Sequence, residues 1–183
     1  MLAPDSPLAP DPSSWVVRWA PEVAAGGTVL DVACGRGRHS RYFVRRGHVV
    51  FAVDQAAEAI AALTDEPNIR ATVADIEDGP WPYSGQQFSA VVVTNYLHRP
   101  IMPQIWAAVA PGGLLIYETF TEGNANYGRP ARPEYLLRPG ELLGVVNESR
   151  VLAYEDVLVS QPKLAMVQRI CARKSVNLAM AGG

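Results

Sequence analysis

The chain has 183 residues, of which 49% are hydrophobic and 19% charged, so it can bury the core of one domain without disulfides or metals. Its net charge of −2 argues against broad attraction to nucleic acids or anionic membranes. No apolar run reaches the roughly 20 residues of a membrane span, and the first residues show no basic segment followed by an apolar one. We therefore expect a cytoplasmic protein in which Cys34 and Cys171 are free thiols.

The first 25 residues divide into two parts. Residues 1–14 are rich in proline, serine and aspartate, which predicts a flexible segment. From Trp15 to Ala25 apolar residues recur at helical spacing, and this pattern predicts an amphipathic helix. Either Ser13 or Ser14 could cap its beginning, and the glycine pair that follows would end it.

Five short apolar runs come next, rich in valine, isoleucine and phenylalanine, and the most hydrophobic of them show little alternation. They are 28–33, 48–53, 69–74, 88–94 and 113–120. Such runs are typical of parallel strands that are covered on both faces. Helices are predicted between them at 38–46, 55–63 and 101–110, whereas glycine and proline argue against a long helix within 76–87. The alternation of strand and helix predicts a doubly wound α/β sheet.

The last third of the chain has a different pattern. A long loop is expected at 121–139, followed by the start of a short helix at 139–143. Two strand-like runs at 150–160 and 164–173, joined by a tight turn, predict an antiparallel hairpin. The expected organisation is a flexible segment (1–14), a single domain (15–173) and a flexible tail (174–183).

A glycine-rich turn, DVACGRG, follows the first predicted strand. Gly35 and Gly37 allow a tight turn and a close approach to a ligand, and the helix that follows offers free N–H groups. Dinucleotide-binding folds use the same turn, but Ser40 stands where their pattern expects glycine or alanine, and Asp31 precedes the first glycine by four residues. The alternative is a tight turn that needs small residues for packing alone.

Carboxylates end the next two predicted strands. Asp54 could accept hydrogen bonds from both hydroxyls of a ribose, although a helix N-cap is an alternative role. Asp75, followed by Ile76, could equally be a turn residue when it is considered alone. Together with Asp31, these acids follow successive strands of an α/β sheet, at the edge where such sheets bind ligands.

These motifs resemble a known family. The stretch VLDVACGRG (29–37) resembles motif I of class I S-adenosylmethionine-dependent methyltransferases, and the likeness extends over residues 27–120. Segments 118–120, 128–130 and 136–142 are similar to small bacterial methyltransferases grouped with the tellurite-resistance enzymes. The resemblance implies a Rossmann-like, doubly wound, seven-stranded mixed sheet with a C-terminal antiparallel hairpin. It also implies S-adenosyl-L-methionine as cofactor and S-adenosyl-L-homocysteine as product.

The resemblance further implies roles for single residues. The expected cofactor-binding set is Asp31, Ala33, Gly35, Gly37, Arg38, Asp54, Gln55, Asp75, Ile76 and Asn95. Within it, Asp31 would help to place the methionine amino group, directly or through water, and Asp54 would hold the ribose. Asp75 and Ile76 would bind the adenine, and Arg38 could reach the cofactor carboxylate.

In this family the segment 94–100 lies between cofactor and substrate. Asn95 would line the cofactor pocket, and Tyr96 and His98 could face the substrate. His98 is the best-placed general base, although a helix cap or a surface group would explain it equally well. A base is not mandatory, because a sulfonium is already an excellent leaving group and positioning can drive the displacement.

Arginines call for two different interpretations. Those within 36–46 are expected to form a solvated helix face, because the net charge of −2 gives the chain no broad attraction to nucleic acid. The loop after the fifth strand is too long for a simple connector, and its Tyr127, Arg129 and Arg132 could grip a substrate, including an anionic one. The alternative is that this loop only roofs the site.

The sequence thus predicts methyl transfer from S-adenosylmethionine to a small-molecule acceptor, by in-line displacement at the sulfonium methyl. We expect no metal, no nucleic-acid or membrane partner, a monomer or homodimer, and a bacterial source. Two alternatives stay open. An NAD(P)-binding oxidoreductase would share the turn and Asp54 but is disfavoured by Ser40 and the terminal hairpin; a non-catalytic regulatory module would keep every cofactor residue.

Overall fold

The computed structural model describes residues 11–147 and 149–176. The flexible ends that the sequence predicts therefore lie largely outside the described residues, which exclude 1–10 and 177–183. Within the described part, Ser14 already belongs to the first helix and Lys174 to the last strand.

Seven strands form the centre of the molecule. They are β1 Thr28–Val32, β2 Val49–Asp54, β3 Ile69–Val73, β4 Phe88–Thr94, β5 Val109–Phe120, β6 Ser149–Val159 and β7 Ala165–Lys174. They make one sheet in the order β3-β2-β1-β4-β5-β7-β6. β1 to β5 pair in parallel, and β7 pairs antiparallel with both β5 and β6. The predicted seven-stranded mixed sheet with a terminal hairpin is confirmed.

Helices cover both faces of this sheet. They are α1 Ser14–Trp19, α2 Arg38–Arg45, α3 Ala57–Ala61, α4 Met102–Ala107 and α5 Glu141–Val145. Val29 packs with Trp15 and Phe43 on one face, while Leu30 packs with Ile105 on the other. Neighbouring residues of β1 are thus buried on opposite sides, which explains the continuous apolar run in the sequence.

Two of the predicted helices, the first and the last before β5, end well before their expected ends. The helix predicted from Trp15 to Ala25 stops at Trp19 and continues as a 3-10 turn, Ala20–Glu22, because Pro21 has no N–H for the α-helical ladder. The helix predicted at 101–110 ends at Ala107, and Val109 instead pairs with Phe88. Strand pairing with β4 thus overrides the local helical pattern at the end of this segment.

Membrane-spanning helices, metal-binding clusters and disulfides are absent from the described residues. Within 11–147 and 149–176, no helix has both the length and the apolar character to cross a membrane. The same residues contain no cluster of histidine, cysteine, aspartate and glutamate that could hold a metal ion. Both cysteines are buried and free, as predicted.

Candidate active site

The glycine-rich turn joins β1 to α2 with three residues in the left-handed backbone region. Ala33, Gly35 and Gly37 have φ angles of 52°, 54° and 74°. A Cβ atom at Gly37 would lie 2.4 Å from Cδ2 of the buried Leu63, so this position needs glycine for both space and conformation. A Cβ atom at Gly35 would meet nothing within 4 Å. Its bare backbone therefore faces open space in which a ligand can lie.

Asp31 lies beneath this turn and not on its open side. The residue is 1% exposed, and Ser40 Oγ donates a hydrogen bond of 2.7 Å to its Oδ2. Burial raises the pKa of Asp31 to about 6 despite this hydrogen bond, because the charged form loses its hydration. The departure of Ser40 from the dinucleotide pattern thus has a structural reason: its hydroxyl supports a buried acid.

Asp54 ends β2 and reaches across to the turn. Its Oδ2 accepts a hydrogen bond of 2.8 Å from Gly35 N, and its Oδ1 accepts one of 2.9 Å from Ala56 N. Each oxygen keeps a second lone pair for a ligand. Asp54 borders a cavity of about 120 Å³, which we call the acidic pocket. It is lined by Ala33, Asp54, Gln55, Asp75, Ile76, Glu77 and Tyr96.

Asp75 has a structural role as well as a place in the acidic pocket. Its Oδ1 accepts hydrogen bonds from Glu77 N at 2.9 Å and Asp78 N at 3.1 Å. These two bonds hold the pKa of Asp75 below its ordinary value. The turn role considered for Asp75 is therefore present, and the carboxylate still lies beside the buried Ile76 at the mouth of the pocket.

A second cavity, the turn pocket, lies on the other side of Ala33. It has a volume of about 400 Å³ and is lined by Ala33, Cys34, Gly35, Arg36, Arg38, His39, Thr94 and Asn95. Asn95 follows β4 with a φ of 55°, an unusual backbone conformation for a residue other than glycine. The shared residue Ala33 makes the acidic pocket and the turn pocket neighbours along one cleft.

Tyr96 and His98 are placed differently from each other. Tyr96 lies between the acidic pocket and a further cavity, the aromatic pocket. This last pocket is lined by Glu77, Asn95, Tyr96, Leu97, Thr119, Phe120, Pro130 and Tyr135. Burial raises the pKa of Tyr96 above its ordinary value. His98 lines neither cavity; its Nδ1 lies 3.6 Å from Glu77 Oε2, and Glu77 borders both.

A fourth cavity, the cationic pocket, brings together residues that lie far apart along the chain. It has a volume of about 270 Å³ and is lined by Ser13, Ser14, Arg38, Asn95, Glu118, Phe120, Arg129, Val159, Gln161, Pro162, Lys163, Ala165, Val167 and Arg169. Of the loop residues expected to grip a substrate, only Arg129 lines it. Tyr127 is 42% exposed, and Arg132 forms an ion pair with Glu134. Neither of them borders this cavity or the other three.

Hydrogen bonds connect the floor of the cationic pocket to the N-terminal helix. Ser13 Oγ donates to Glu118 Oε1 at 2.6 Å, and Arg169 Nη1 donates to Glu118 Oε2 at 3.2 Å. The Ser13 amide donates to His39 Nε2 at 3.1 Å. Burial lowers the pKa of His39 to about 3, so His39 is a neutral acceptor. Sequence reasoning missed these residues because 26 to 105 positions separate the partners.

Comparisons with known proteins agree with this architecture. Residues 29–113 match the family model of a methyltransferase domain. The structure is similar to TehB from Haemophilus influenzae, with 20% identity and a TM-score of 0.71 over 87% of this chain and 61% of that one. It also resembles a TehB-like SAM-dependent methyltransferase from Corynebacterium glutamicum, with 19% identity and a TM-score of 0.63 over 88% of both chains.

A third similar structure is the 1,6-didemethyltoxoflavin-N1-methyltransferase of Burkholderia thailandensis. It shares 20% identity and a TM-score of 0.65 over 88% of this chain and 77% of that chain. The chain spans about three fifths of the length of the TehB chain that it matches. No curated protein sequence matches it.

Residues 29–113 match a methyltransferase domain, and the seven-stranded sheet is the fold of class I methyltransferases. The methyl donor of this class is S-adenosyl-L-methionine, and S-adenosyl-L-homocysteine is the product. Within the class, the chain resembles the TehB-like methyltransferases. The predicted class, fold and cofactor are thus confirmed.

Proposed function

We propose that the protein transfers the methyl group of S-adenosylmethionine to a small-molecule acceptor, by in-line displacement at the sulfonium methyl. The observation that carries this proposal is a chain of cavities with shared walls. Ala33 joins the acidic pocket to the turn pocket, and Asn95 borders the turn, aromatic and cationic pockets together. A two-part ligand and a separate acceptor can therefore meet beside Asn95.

The acidic pocket suits an adenosine. Asp54 offers one lone pair on each oxygen to a pair of ribose hydroxyls, because backbone amides already hold both oxygens in place. Asp75 can accept a hydrogen bond from an adenine amino group while the buried Ile76 packs against the ring. Gln55 completes the rim. These are the hydrogen-bonding and apolar groups that an adenosine requires.

The turn pocket suits the amino-acid end of the cofactor. Gly35 presents bare backbone, and Arg38 borders the pocket at the start of α2, where its guanidinium can pair with a carboxylate. Asp31 lies one layer below and can act on an ammonium group only through the turn or a water molecule. The cofactor supplies an activated methyl group with a neutral thioether as leaving group.

The residues around the acceptor need only position it and exclude water. Asn95 and Tyr96 border the pockets where an acceptor would lie. We keep His98 as the proposed general base, but it does not line the cleft itself. Glu77 lies between the two, so His98 would receive a proton from the acceptor by way of Glu77. The cavity of about 270 Å³ lies just below the range of about 300–1,000 Å³ that is usual for small-molecule sites, which favours a small acceptor.

In support of a small acceptor, the 1,6-didemethyltoxoflavin-N1-methyltransferase, whose fold is similar, was solved with 1,6-didemethyltoxoflavin and S-adenosylhomocysteine bound. A cytoplasmic location, a bacterial source and a monomeric or homodimeric state belong to the same proposal. Nucleic-acid and membrane partners are not part of it.

Calorimetric titration with S-adenosylhomocysteine and with NAD tests the cofactor. We expect wild type to bind the first and not the second. Asp54→Ala should weaken binding by about 1–3 kcal/mol, because it deletes hydrogen bonds to a charged group. Asp78→Ala, at an exposed acid outside the four pockets, is the matched control and should bind like wild type. Binding of NAD alone, or equal affinity of Asp54→Ala and wild type, would contradict the assignment.

Turnover of labelled S-adenosylmethionine with a mixture of small metabolites then tests the transfer itself. We expect label to appear in a small organic product. Label only in added protein or nucleic acid would contradict a small acceptor, and binding of S-adenosylhomocysteine without any turnover would favour the regulatory alternative.

A further inference from the structure

The cationic pocket has a charge that differs from that of the whole chain. The chain carries more acidic than basic residues, 18 against 16. Four basic side chains nevertheless line this one cavity, and among the described residues Glu118 is the only acidic one that lines it. The concentration of positive charge is therefore a local property of the site.

Only one of the four basic side chains is neutralised by ion pairs with described residues. Arg169 is neutralised, because it binds Glu118 at 3.2 Å and Glu155 at 2.6 Å. Arg38, Arg129 and Lys163 form no ion pair with an acidic side chain of the described residues. Like charges that the fold brings together around a cavity favour an anionic ligand.

Two of these cations lie apart from the cofactor compartments. Arg38 also borders the turn pocket, whereas Arg129 and Lys163 border only the cationic pocket. Lys163 Nζ lies 3.5 Å from the carbonyl oxygen of Arg129, so the loop after β5 meets the β6–β7 turn at the pocket that both cations line. The cofactor carboxylate therefore does not explain them.

The register of β5 and β7 shows that Arg129 and Lys163 lie at one end of the cationic pocket and Asn95, beside which methyl transfer is proposed, at the other. Glu118 pairs with Arg169 at the level of Asn95, whose amide donates to the Glu118 carbonyl. Ala165, next to the β6–β7 turn, precedes Arg169 by four residues in β7. This separation is about 13 Å at the usual rise of a strand. Between these ends the wall is apolar and includes Phe120 and Val167.

We propose that the acceptor is a small organic anion, an inference that rests on the proposed methyl transfer. Its carboxylate or phosphate group is bound by Arg129 and Lys163, its apolar body lies against Phe120, and the atom to be methylated lies at the Asn95 end. The anionic group is a handle that positions the acceptor and is not the group that is methylated.

Binding to the full-length protein saturated with S-adenosylhomocysteine tests this proposal. The calorimetric probes are phenylacetate, benzyl phosphate and the neutral phenylacetamide. We expect at least one anion to bind five-fold or more tightly than the amide, and the tighter of the two anions identifies the charged group. Arg129→Gln and Lys163→Gln should each weaken binding of that anion about three-fold to ten-fold without changing affinity for S-adenosylhomocysteine.

Arg132→Gln is the matched control, because Arg132 lies in the same loop, pairs with Glu134 and does not line the pocket. It should bind the anion like wild type. Equal affinity for anions and amide, no anion binding at 10 mM, or equal effects of all three substitutions would overturn the proposal. Loss of S-adenosylhomocysteine affinity in Arg129→Gln or Lys163→Gln would also overturn it. Failure of wild type to bind S-adenosylhomocysteine would instead count against the proposed function.

Discussion

Asp31 and Asp54 lie at the ends of neighbouring strands, yet their surroundings differ. Asp54 is half-buried and held by two backbone amides, whereas Asp31 is fully enclosed and held by a hydroxyl. The sequence predicts that both acids lie near the cofactor, because strand ends can be located from apolar runs. It does not predict which acid is enclosed, since enclosure depends on how α2 packs over the turn.

The buried Asp31 makes stability depend on pH. Because its pKa is about 6 in the folded protein and 3.8 ordinarily, the folded state binds more protons between these pH values, and the free energy of unfolding falls as pH rises through that window. The loss approaches about 3 kcal/mol above pH 6. Guanidinium denaturation should show Asp31→Asn gaining up to this amount relative to wild type between pH 4 and pH 7.5.

Asp65→Asn, at an exposed acid, controls for the loss of a negative charge anywhere on the protein. Its stability relative to wild type should change much less over the same range. Parallel pH dependence of Asp31→Asn and wild type would show that the carboxyl is not the source of the slope.

Alanine substitutions at Gly37 and Gly47 distinguish the cost of backbone strain from the cost of side-chain crowding. Both have positive φ angles, 74° and 86°, but a Cβ atom would meet Leu63 at 2.4 Å in the first case and nothing within 4 Å in the second. Gly47→Ala should cost about 1–2 kcal/mol for the backbone alone. Gly37→Ala should cost about 1–3 kcal/mol more because it overpacks the core. Urea denaturation measures both, and equal losses would contradict the crowding at Leu63.

At the level of elements, long apolar runs were predicted well and helix ends were not. All seven strands lie within a few residues of the predicted runs. The pattern is clearest for β1 and β4, which are buried on both faces. The boundary between α4 and β5 was misplaced. Val109 pairs with Phe88, a contact across 21 positions that local helical spacing does not contain.

The start of α1 provides a prediction at this scale. The sequence allows either Ser13 or Ser14 as the N-cap, and the structure selects Ser13. Ser13 Oγ accepts a hydrogen bond of 3.1 Å from Trp15 N and donates one to Glu118. Ser13→Ala should lower the free energy of unfolding by about 1–2 kcal/mol. The exposed Ser14 makes no such contact, so Ser14→Ala should change stability by less than about 0.5 kcal/mol. Chemical denaturation of both variants decides between the two caps.

At the scale of the molecule, the cofactor side of the cleft followed from the sequence and the acceptor side did not. The acids and the glycine turn end adjacent parallel strands, so topology alone brings them to one edge. The cationic pocket instead joins Ser13, Glu118, Arg129 and Lys163. They belong to an N-cap, a strand, a loop and a hairpin turn, which come together only through the packing of α1 and β7 against β5.

One continuous sheet also predicts one cooperative unit. Because β1, which carries the cofactor turn, and the β6–β7 hairpin belong to the same sheet, a ligand bound at the turn should stabilise the hairpin equally. S-adenosylhomocysteine at 100 times its Kd should add about 2.7 kcal/mol, which for a chain of this size raises the Tm by about 5–10 °C. Far-UV circular dichroism and tryptophan fluorescence should agree on a single midpoint in each condition, and the ligand should raise that shared midpoint. Two transitions, of which only one moves with the ligand, would show that the expected single domain is in fact two units.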